Sequence, residues 1–564
     1  MHLQRGKDLV IKAEQYTLLV EESQPRARLL ARDGSLLAEL FLLFSCHTDK
    51  GRDVTSQAGA WEALETGEGV SLRLTCDSSV WERKTVTLNC FEDGIRYQAG
   101  VAGRGSLLDA ELLSGYYTGS NRRWGNARFY SGFHADSLFN PEPSRSETYS
   151  NSPRQRALID LAGVPIPGRD HWFFTPVPFC FVLRKGSQCM SLGVQARPGM
   201  NRFTEFEYTG GEGQGLLLRY EGYTRVDGEW ELPALQMLFG SDEYGVLARF
   251  SALEHRFESR KERFPWWETP IFCGWGAQCA RAAEHGQPAP ALATQEFYQA
   301  LDAALQEKGL HPGTLVIDDK WQASYGLNDV DTAKWPDMKG FIRDMHEKGR
   351  KVLLWLKAWD PEGADPALCI VDRLGVPQAI DPEHPQYQQL FRQAAQALLS
   401  PEGLDADGFK IDFTARIPVC PGCSGHGKSW GLELMRAYLA LVHDAAKAAK
   451  KDALVMCHCP HPYLEDKLDM IRLNDINTAH PVNAQMAHRA RVVRAALPDV
   501  LIDTDNWPMP GKQAWLDYVR LQPSLGVPSL YYLWHMEGGA ERIEDSDLDI
   551  VRDSWKKWEE RRHG

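Results

Sequence analysis

The sequence predicts a multidomain chain: an N-terminal antiparallel β-sandwich over residues 1–245, a helical linker over 246–268 and a (β/α)8 TIM barrel over 269–564. Three observations lead there. At 564 residues the chain is too long for one ordinary domain. Up to residue 245, short segments alternate apolar and polar residues between Gly, Asp and Asn turns, the period of half-buried strands. From Pro265 onward, short apolar runs alternate with amphipathic stretches of helical period.

The sandwich strands read in order as "LVIKAEQYTLLVEE", "RARLLARDG", "VSLRLTCDS", "KTVTLNCFEDGIRYQAGV", "FCFVLRKGSQCMSLGVQAR", "TEFEYTG" and "GLLLRYEGYTRVDGEWELP". Residues 116–175 break the alternation with a polar stretch rich in Tyr, Trp, Arg and Asn. A segment of that length is expected to be a functional loop, ordered by its aromatics and reaching over a neighbouring site. "SDEYGVLARFSALEHRFESRKERF" supplies the helical connector. Eight barrel strands follow: 271–276, 313–319, 351–356, 408–413, 453–458, 470–475, 500–505 and 529–534. Helical stretches such as "ATQEFYQALDAALQEKG" and "HPQYQQLFRQAAQALL" separate most of them. No Gly-rich phosphate loop follows the first strand, which disfavours a doubly wound open sheet.

Composition narrows the function. A net charge of −13 with no basic stripe argues against nucleic acid as a partner. No run approaches a membrane helix and the N-terminus lacks the apolar stretch of a signal peptide, so the expectation is a cytoplasmic protein. Its twelve scattered cysteines are expected to be reduced. "CPGC" at 420–423, His426 and "CHC" at 457–459 suggest a zinc alternative, although the second pair has the wrong spacing. No metal and no cofactor are assigned. The 18 tryptophans sit largely beside Asp, Gly or Pro rather than in apolar runs, and indole faces stack on sugars as well as filling cores.

In a (β/α)8 barrel the chemistry sits at the C-terminal ends of the strands. Read in order, those ends carry Trp275; Asp318, Asp319, Lys320 and Trp321; Trp355; Lys410 and Asp412; Cys457 and Cys459; Arg472 and Asp475; Asp503 and Asp505; and Trp534. One Asp after a strand is ordinarily a cap or turn residue. Carboxylates gathered with indoles on one rim fit a pyranose: acceptors for its hydroxyls, a flat wall for its apolar face. Paired carboxylates also perform glycosidic bond cleavage. Lys410 and Asp412, charged inside the apolar strand "GFKIDF", read as a matched ion pair.

Four stretches carry a resemblance. "LVIDDKWQASYG", "WPDMKGFIRDMHEKGRKVLLWLKAWDPEG", "GFKIDF" and "MCHCPHPYLEDKLDMIRLNDI" resemble, in order and spacing, the motifs of family 36 glycoside hydrolases, the α-galactosidases and raffinose synthase-like enzymes among the retaining α-glycosidases. The resemblance covers residues 270–540 and, in kind, the sandwich before them. It implies Asp412 as nucleophile and Asp475 as general acid/base. It implies Lys410, Asp318 and Asp319 on sugar hydroxyls, and Cys457 or Cys459 with Arg472 near the 2-hydroxyl. Lys320, Trp321, Trp275, Trp355, Asp505 and Trp534 complete the expected carbohydrate site. Lys320 departs from the small residue usual after "DD" and suggests an acidic or otherwise modified sugar as an alternative to a neutral one. Transglycosylation of the raffinose synthase-like type and non-catalytic carbohydrate binding also stay open. A small carbohydrate is the expected partner, with a homo-oligomer possible.

Overall fold

The computed structural model describes residues 1–119, 128–134, 136–139, 180–195, 197–209, 214–254, 262–414, 417–418, 422–476, 478, 481–537 and 541–563. They form two compact units, residues 1–254 with Ser429–Leu434 contributing to one, and residues 262–428 and 435–563 to the other.

The first unit is antiparallel β structure, as alternation predicts. One six-stranded sheet runs, in spatial order, His2–Arg5, Asp8–Lys12, Tyr16–Glu21, Arg26–Ala31, Leu36–Phe41 and Gly132–Phe133. A second sheet is built around the 19-residue strand Gly94–Leu112, which pairs with Arg83–Phe91, Gly215–Glu231, Ala234–Gly240 and Phe44–Thr48. Inward residues such as Leu18, Val20, Leu29, Leu88, Tyr97 and Leu235 make one continuous core. This is a β-sandwich: each strand buries every second side chain and leaves the others to solvent. The helical linker begins as the helix Glu243–Glu254; a 3₁₀ turn, Pro265–Glu268, precedes the barrel. The 116–175 segment falls mostly outside the described residues; its described part adds the short strands Arg128–Tyr130, Gly132–Phe133 and Ser137–Phe139.

The second unit is the barrel. Its strands are β1 (Ile271–Cys273), β2 (Thr314–Ile317), β3 (Lys351–Lys357), β4 (Gly408–Asp412), β5 (Leu454–Cys457), β6 (Met470–Arg472), β7 (Leu501–Asp503) and β8 (Ser529–Leu530). Each pairs in parallel with the next from β1 to β7, β8 pairs with β1, and a bridge between Asp503 and Val527 closes the ring. The barrel helices are α1 (Trp275–His285), α2 (Gln295–Glu307), α3 (Met338–Glu347), α4 (Pro385–Leu399), α5 (Leu432–Ala449), α6 (Val482–Ala496), α7 (Lys512–Leu525) and α8 (Asp545–His563). Thr294 caps α2 by accepting the Phe297 N–H, and Asp337 caps α3 by accepting that of Gly340. The link from β5 to β6 is a 3₁₀ turn, Pro462–Lys467.

The strand β4 shows how position separates structure from chemistry. At its entry Gly408 has φ +145°, and a side chain there would collide with the Leu454 carbonyl. Just before it, buried Asp407 is ringed by Lys351, Lys450 and His346 at 2.7–3.0 Å. Burial pushes its carboxyl up; the His346 hydrogen bond and the two lysines outweigh that and bring it down to about 2. This is the stability end of the barrel. At the other end of the same strand stands Asp412.

Candidate active site

Asp412 closes β4 with 23 % of its side chain accessible. Its Oδ1 accepts Arg472 Nη2 at 2.9 Å and the Phe413 N–H at 2.9 Å, and lies 3.7 Å from His458 Nε2. Its Oδ2 accepts the Trp355 indole N–H at 3.3 Å. Burial alone would raise this carboxyl. Arg472, then His458 and Lys410, with the Phe413 N–H, overcome it and hold Asp412 well below the usual carboxylate range.

Asp475 follows β6 and is also 23 % accessible. Arg472 reaches it through the other guanidinium nitrogen, Nη1 to Oδ1 at 3.2 Å. Burial pushes Asp475 up to about 7; Arg472 opposes, while the charges of Asp412 and Asp505 add to the rise. One guanidinium therefore holds two partly open carboxylates, one driven to the ionised form and one to the protonated form. Both sit at strained turns: Phe413, just after Asp412, and Asn474, just before Asp475, have φ +56° and +64°. Left-handed backbone at non-glycine residues costs roughly 1–3 kcal/mol each and clusters where geometry serves chemistry.

Lys410 requires a correction to the matched pair read from the sequence. Residues 410 and 412 lie two apart on β4, yet the close partner of Lys410 is not Asp412. Its Nζ lies 2.6 Å from Asp318 Oδ2 and 3.4 Å from Cys273 Sγ, whose thiol donates to the same carboxylate oxygen at 3.1 Å. Asp318 and Lys410 are 4 % and 3 % accessible, a buried ion pair spanning β2 and β4. Asp319 is half-buried instead. Tyr325 donates its hydroxyl to Asp319 Oδ1 at 2.7 Å, and burial pushes Asp319 up to about 6 against that bond.

Lys320 binds Glu362 at 2.6 Å and lies 4.1 Å above the Tyr325 ring; Lys357, 2.7 Å from Asp360, lies 4.3 Å from the same ring. Trp275 and Trp534 are half-buried at the ends of β1 and β8. Trp275 meets Trp507 edge-on at 5.9 Å.

Five expected sugar contacts are corrected. Trp321, Cys457, Cys459 and Asp505 have no accessible surface, and Trp355 is 1 % exposed. Trp321 turns inward to donate to the Trp355 carbonyl. Cys457 completes β5, Cys459 contacts Thr414 Oγ1, and Asp505 binds Arg472. Asp503 is also buried, accepting the Ser529 hydroxyl. Ten of the described cysteines are free, while Cys423 is disulfide-bonded, an exception to the expectation of reduced thiols; Cys420 lies outside the described residues. Among the described residues no three His, Cys, Asp or Glu side chains converge as metal ligands, and no helix is long and apolar enough to cross a membrane.

Sequence reasoning passed over His458, Tyr325, Cys273 and Tyr531, whose ring lies 5.3 Å from Lys410 Nζ. All four stood inside stretches already singled out: His458 lies between the two cysteines, Tyr325 ends "DDKWQASY", Cys273 sits within the first barrel strand and Tyr531 within the eighth.

No protein-family model matches the chain, and no curated protein does. Solved structures do. The α-N-acetylgalactosaminidase NagBb from Bifidobacterium bifidum, in complex with GalNAc, aligns over 98 % of this chain and 93 % of its own at TM-score 0.60 and 14 % identity. A GH31 family sulfoquinovosidase from E. rectale aligns over 99 % of this chain and 82 % of its own at TM-score 0.58 and 10 % identity. The α-galactosidase TtGalA from Thermus thermophilus, in complex with stachyose, aligns over 88 % and 99 % at TM-score 0.51 and 15 % identity. All three are glycosidases by name. This chain shares their fold.

Proposed function

We propose that the protein is a retaining α-glycosidase, α-galactosidase-like, that removes a terminal α-linked neutral hexose from small oligosaccharides or glycosides. The observation that carries this reading is the pair Asp412 and Asp475: both partly accessible, both on Arg472, their proton affinities displaced in opposite directions. Carboxyl groups driven apart in this way take the roles of nucleophile and acid. The names of the three similar structures support glycosidase action; the choice of a neutral sugar agrees with the α-galactosidase alone, since the other two are named for modified sugars.

Ionised Asp412 attacks the anomeric carbon. The glycosidic C–O bond breaks, its electron pair passing to the leaving oxygen, which takes the proton of Asp475. A glycosyl ester on Asp412 results. Asp475, now a carboxylate, accepts a proton from water as that water attacks the anomeric carbon and releases Asp412. Asp319 serves the sugar hydroxyls, with Trp275 and Trp534 as apolar walls; the buried Asp318–Lys410 pair fixes the ends of β2 and β4.

An acidic sugar is disfavoured. Lys320 and Lys357 stand near the Asp319 end of the pocket, but Glu362 and Asp360 already neutralise them. The test is a panel of nitrophenyl α- and β-hexosides. An α-hexoside is cleaved, Asp412→Asn abolishes cleavage, and azide restores turnover in a small-nucleophile-accepting Asp412→Gly variant. Silence across the panel, or full activity in Asp412→Asn, defeats the proposal.

A further inference from the structure

The shortest bond of Arg472 goes to neither accessible carboxylate. Its Nη1 lies 2.6 Å from Asp505 Oδ2, against 3.2 Å to Asp475 and 2.9 Å from Nη2 to Asp412. Asp505 has no accessible surface, so no substrate touches it. It is fixed by its backbone surroundings. Its Oδ1 accepts the N–H groups of Asn506 at 2.5 Å and Trp507 at 3.1 Å. Its own N–H goes to Asp503 Oδ1 at 3.0 Å, and Gln522 Nε2 donates to its carbonyl at 3.0 Å. The residue adopts φ +51°, a left-handed conformation uncommon outside glycine.

We propose that Asp505 is a positioning residue: it anchors the Arg472 guanidinium so that one nitrogen faces Asp412 and the other faces Asp475. This rests on the glycosidase reading for its catalytic meaning, not for its geometry. A guanidinium is planar, so fixing Nη1 on a buried carboxylate also fixes the direction of Nη2. The anchor also balances charge through the reaction. Before attack Arg472 faces two anions, Asp412 and Asp505, and a protonated Asp475. After attack Asp412 is an ester, Asp475 has lost its proton, and Arg472 again faces two anions. The constant partner is Asp505, and the cation has no reason to move.

The other groups around Arg472 are His458 after β5, Lys410 on β4, Asp503 on β7, Cys459 after β5 and Tyr531 after β8. His458 is pushed down to about 4 by burial and is neutral in the working range. Lys410 is committed to Asp318. Neither replaces the Asp505 charge.

The experiment is a carboxyl titration by 13C NMR on protein labelled at Asp Cγ, which needs no substrate. Asp475→Asn identifies the Asp475 resonance by its loss. In Asp505→Asn that resonance is expected to titrate at lower pH by about one unit or more, because repulsion by Asp505 is lost and Arg472 is left uncompensated. In Arg472→Lys, whose ammonium cannot reach three carboxylates at once, it is expected to titrate higher. An Asp475 titration unchanged in folded Asp505→Asn overturns the proposal. Should that variant not fold, an unchanged titration in Arg472→Lys overturns it. With an active glycoside in hand, the alkaline limb of kcat/KM must move with the resonance; a lower kcat without that movement indicates a merely structural role. If no glycoside is cleaved but the resonance moves, the glycosidase reading fails and the positioning inference stands.

Discussion

Lys410 lies 2.6 Å from Asp318, two strands away at the end of β2, rather than beside Asp412 on its own strand. Both charges are buried, so each depends on the other. Lys410→Met is expected to cost roughly 3–5 kcal/mol by stranding Asp318 in the interior. Lys410→Met combined with Asp318→Asn should regain most of that stability, though not activity. Thermal midpoints of the single and double variants check this; a Lys410→Met midpoint equal to the parent contradicts it.

Activity should depend on pH in one direction across the neutral range. Asp412 must be ionised and is held well below the usual carboxylate range. Asp475 must be protonated and titrates at about 7. So kcat/KM stays flat in mild acid and falls about tenfold per pH unit on the alkaline side. Asp475→Asn, assayed on a dinitrophenyl glycoside whose leaving group needs no proton, loses that alkaline limb.

Stability should respond to the same group. The ordinary Asp475 value is 3.8 and the folded one about 7. Between them the folded state binds more protons, so its stability contribution is complete below 3.8 and is lost as pH rises through about 7. Asp475→Asn removes the titration. Above neutrality the variant should be more stable than the parent by roughly 1–3 kcal/mol, the partial exposure of Asp475 reducing the full linkage value. Melting curves at about pH 4 and about pH 8, close to the lower end of the linkage window and beyond its upper end, show whether the gap opens in that direction. Asp412, shifted the opposite way, acts only in stronger acid.

Tyr325 and Lys320 should separate cleanly. Tyr325→Phe deletes the 2.7 Å donor to Asp319, a hydrogen bond to a carboxyl worth about 1.5–3 kcal/mol, so kcat/KM should fall about ten- to a hundredfold. Lys320→Ala removes a rim ion pair whose acid partner is 45 % exposed, and should change kcat/KM on a neutral hexoside by less than about fivefold. A large loss in Lys320→Ala would restore the acidic sugar as the substrate.

The fold was legible because its periods are simple. Strands such as Thr314–Ile317 bury every residue, and Gly94–Leu112 alternates over most of its length. Both patterns survive in the sequence. Strand ends were legible too, which brought Asp412, Asp475, Asp318, Asp319 and Arg472 together. Side-chain pairing was not. Whether Lys410 meets Asp412 or Asp318 depends on how a barrel closes, and no local pattern records it. Nor does sequence tell an open Asp475 from a closed Asp505. Both follow a strand; a left-handed backbone and three backbone contacts turn the second one inward.

The central claim is that Asp412 forms a covalent bond with the sugar. The direct measurement is the anomer released first, followed by 1H NMR during rapid hydrolysis of the active aryl α-hexoside. The account predicts the α-anomer, with a hexosyl adduct on the Asp412 peptide when a slow 2-fluoro substrate is used. The β-anomer appearing first, or an adduct on another residue, would contradict it.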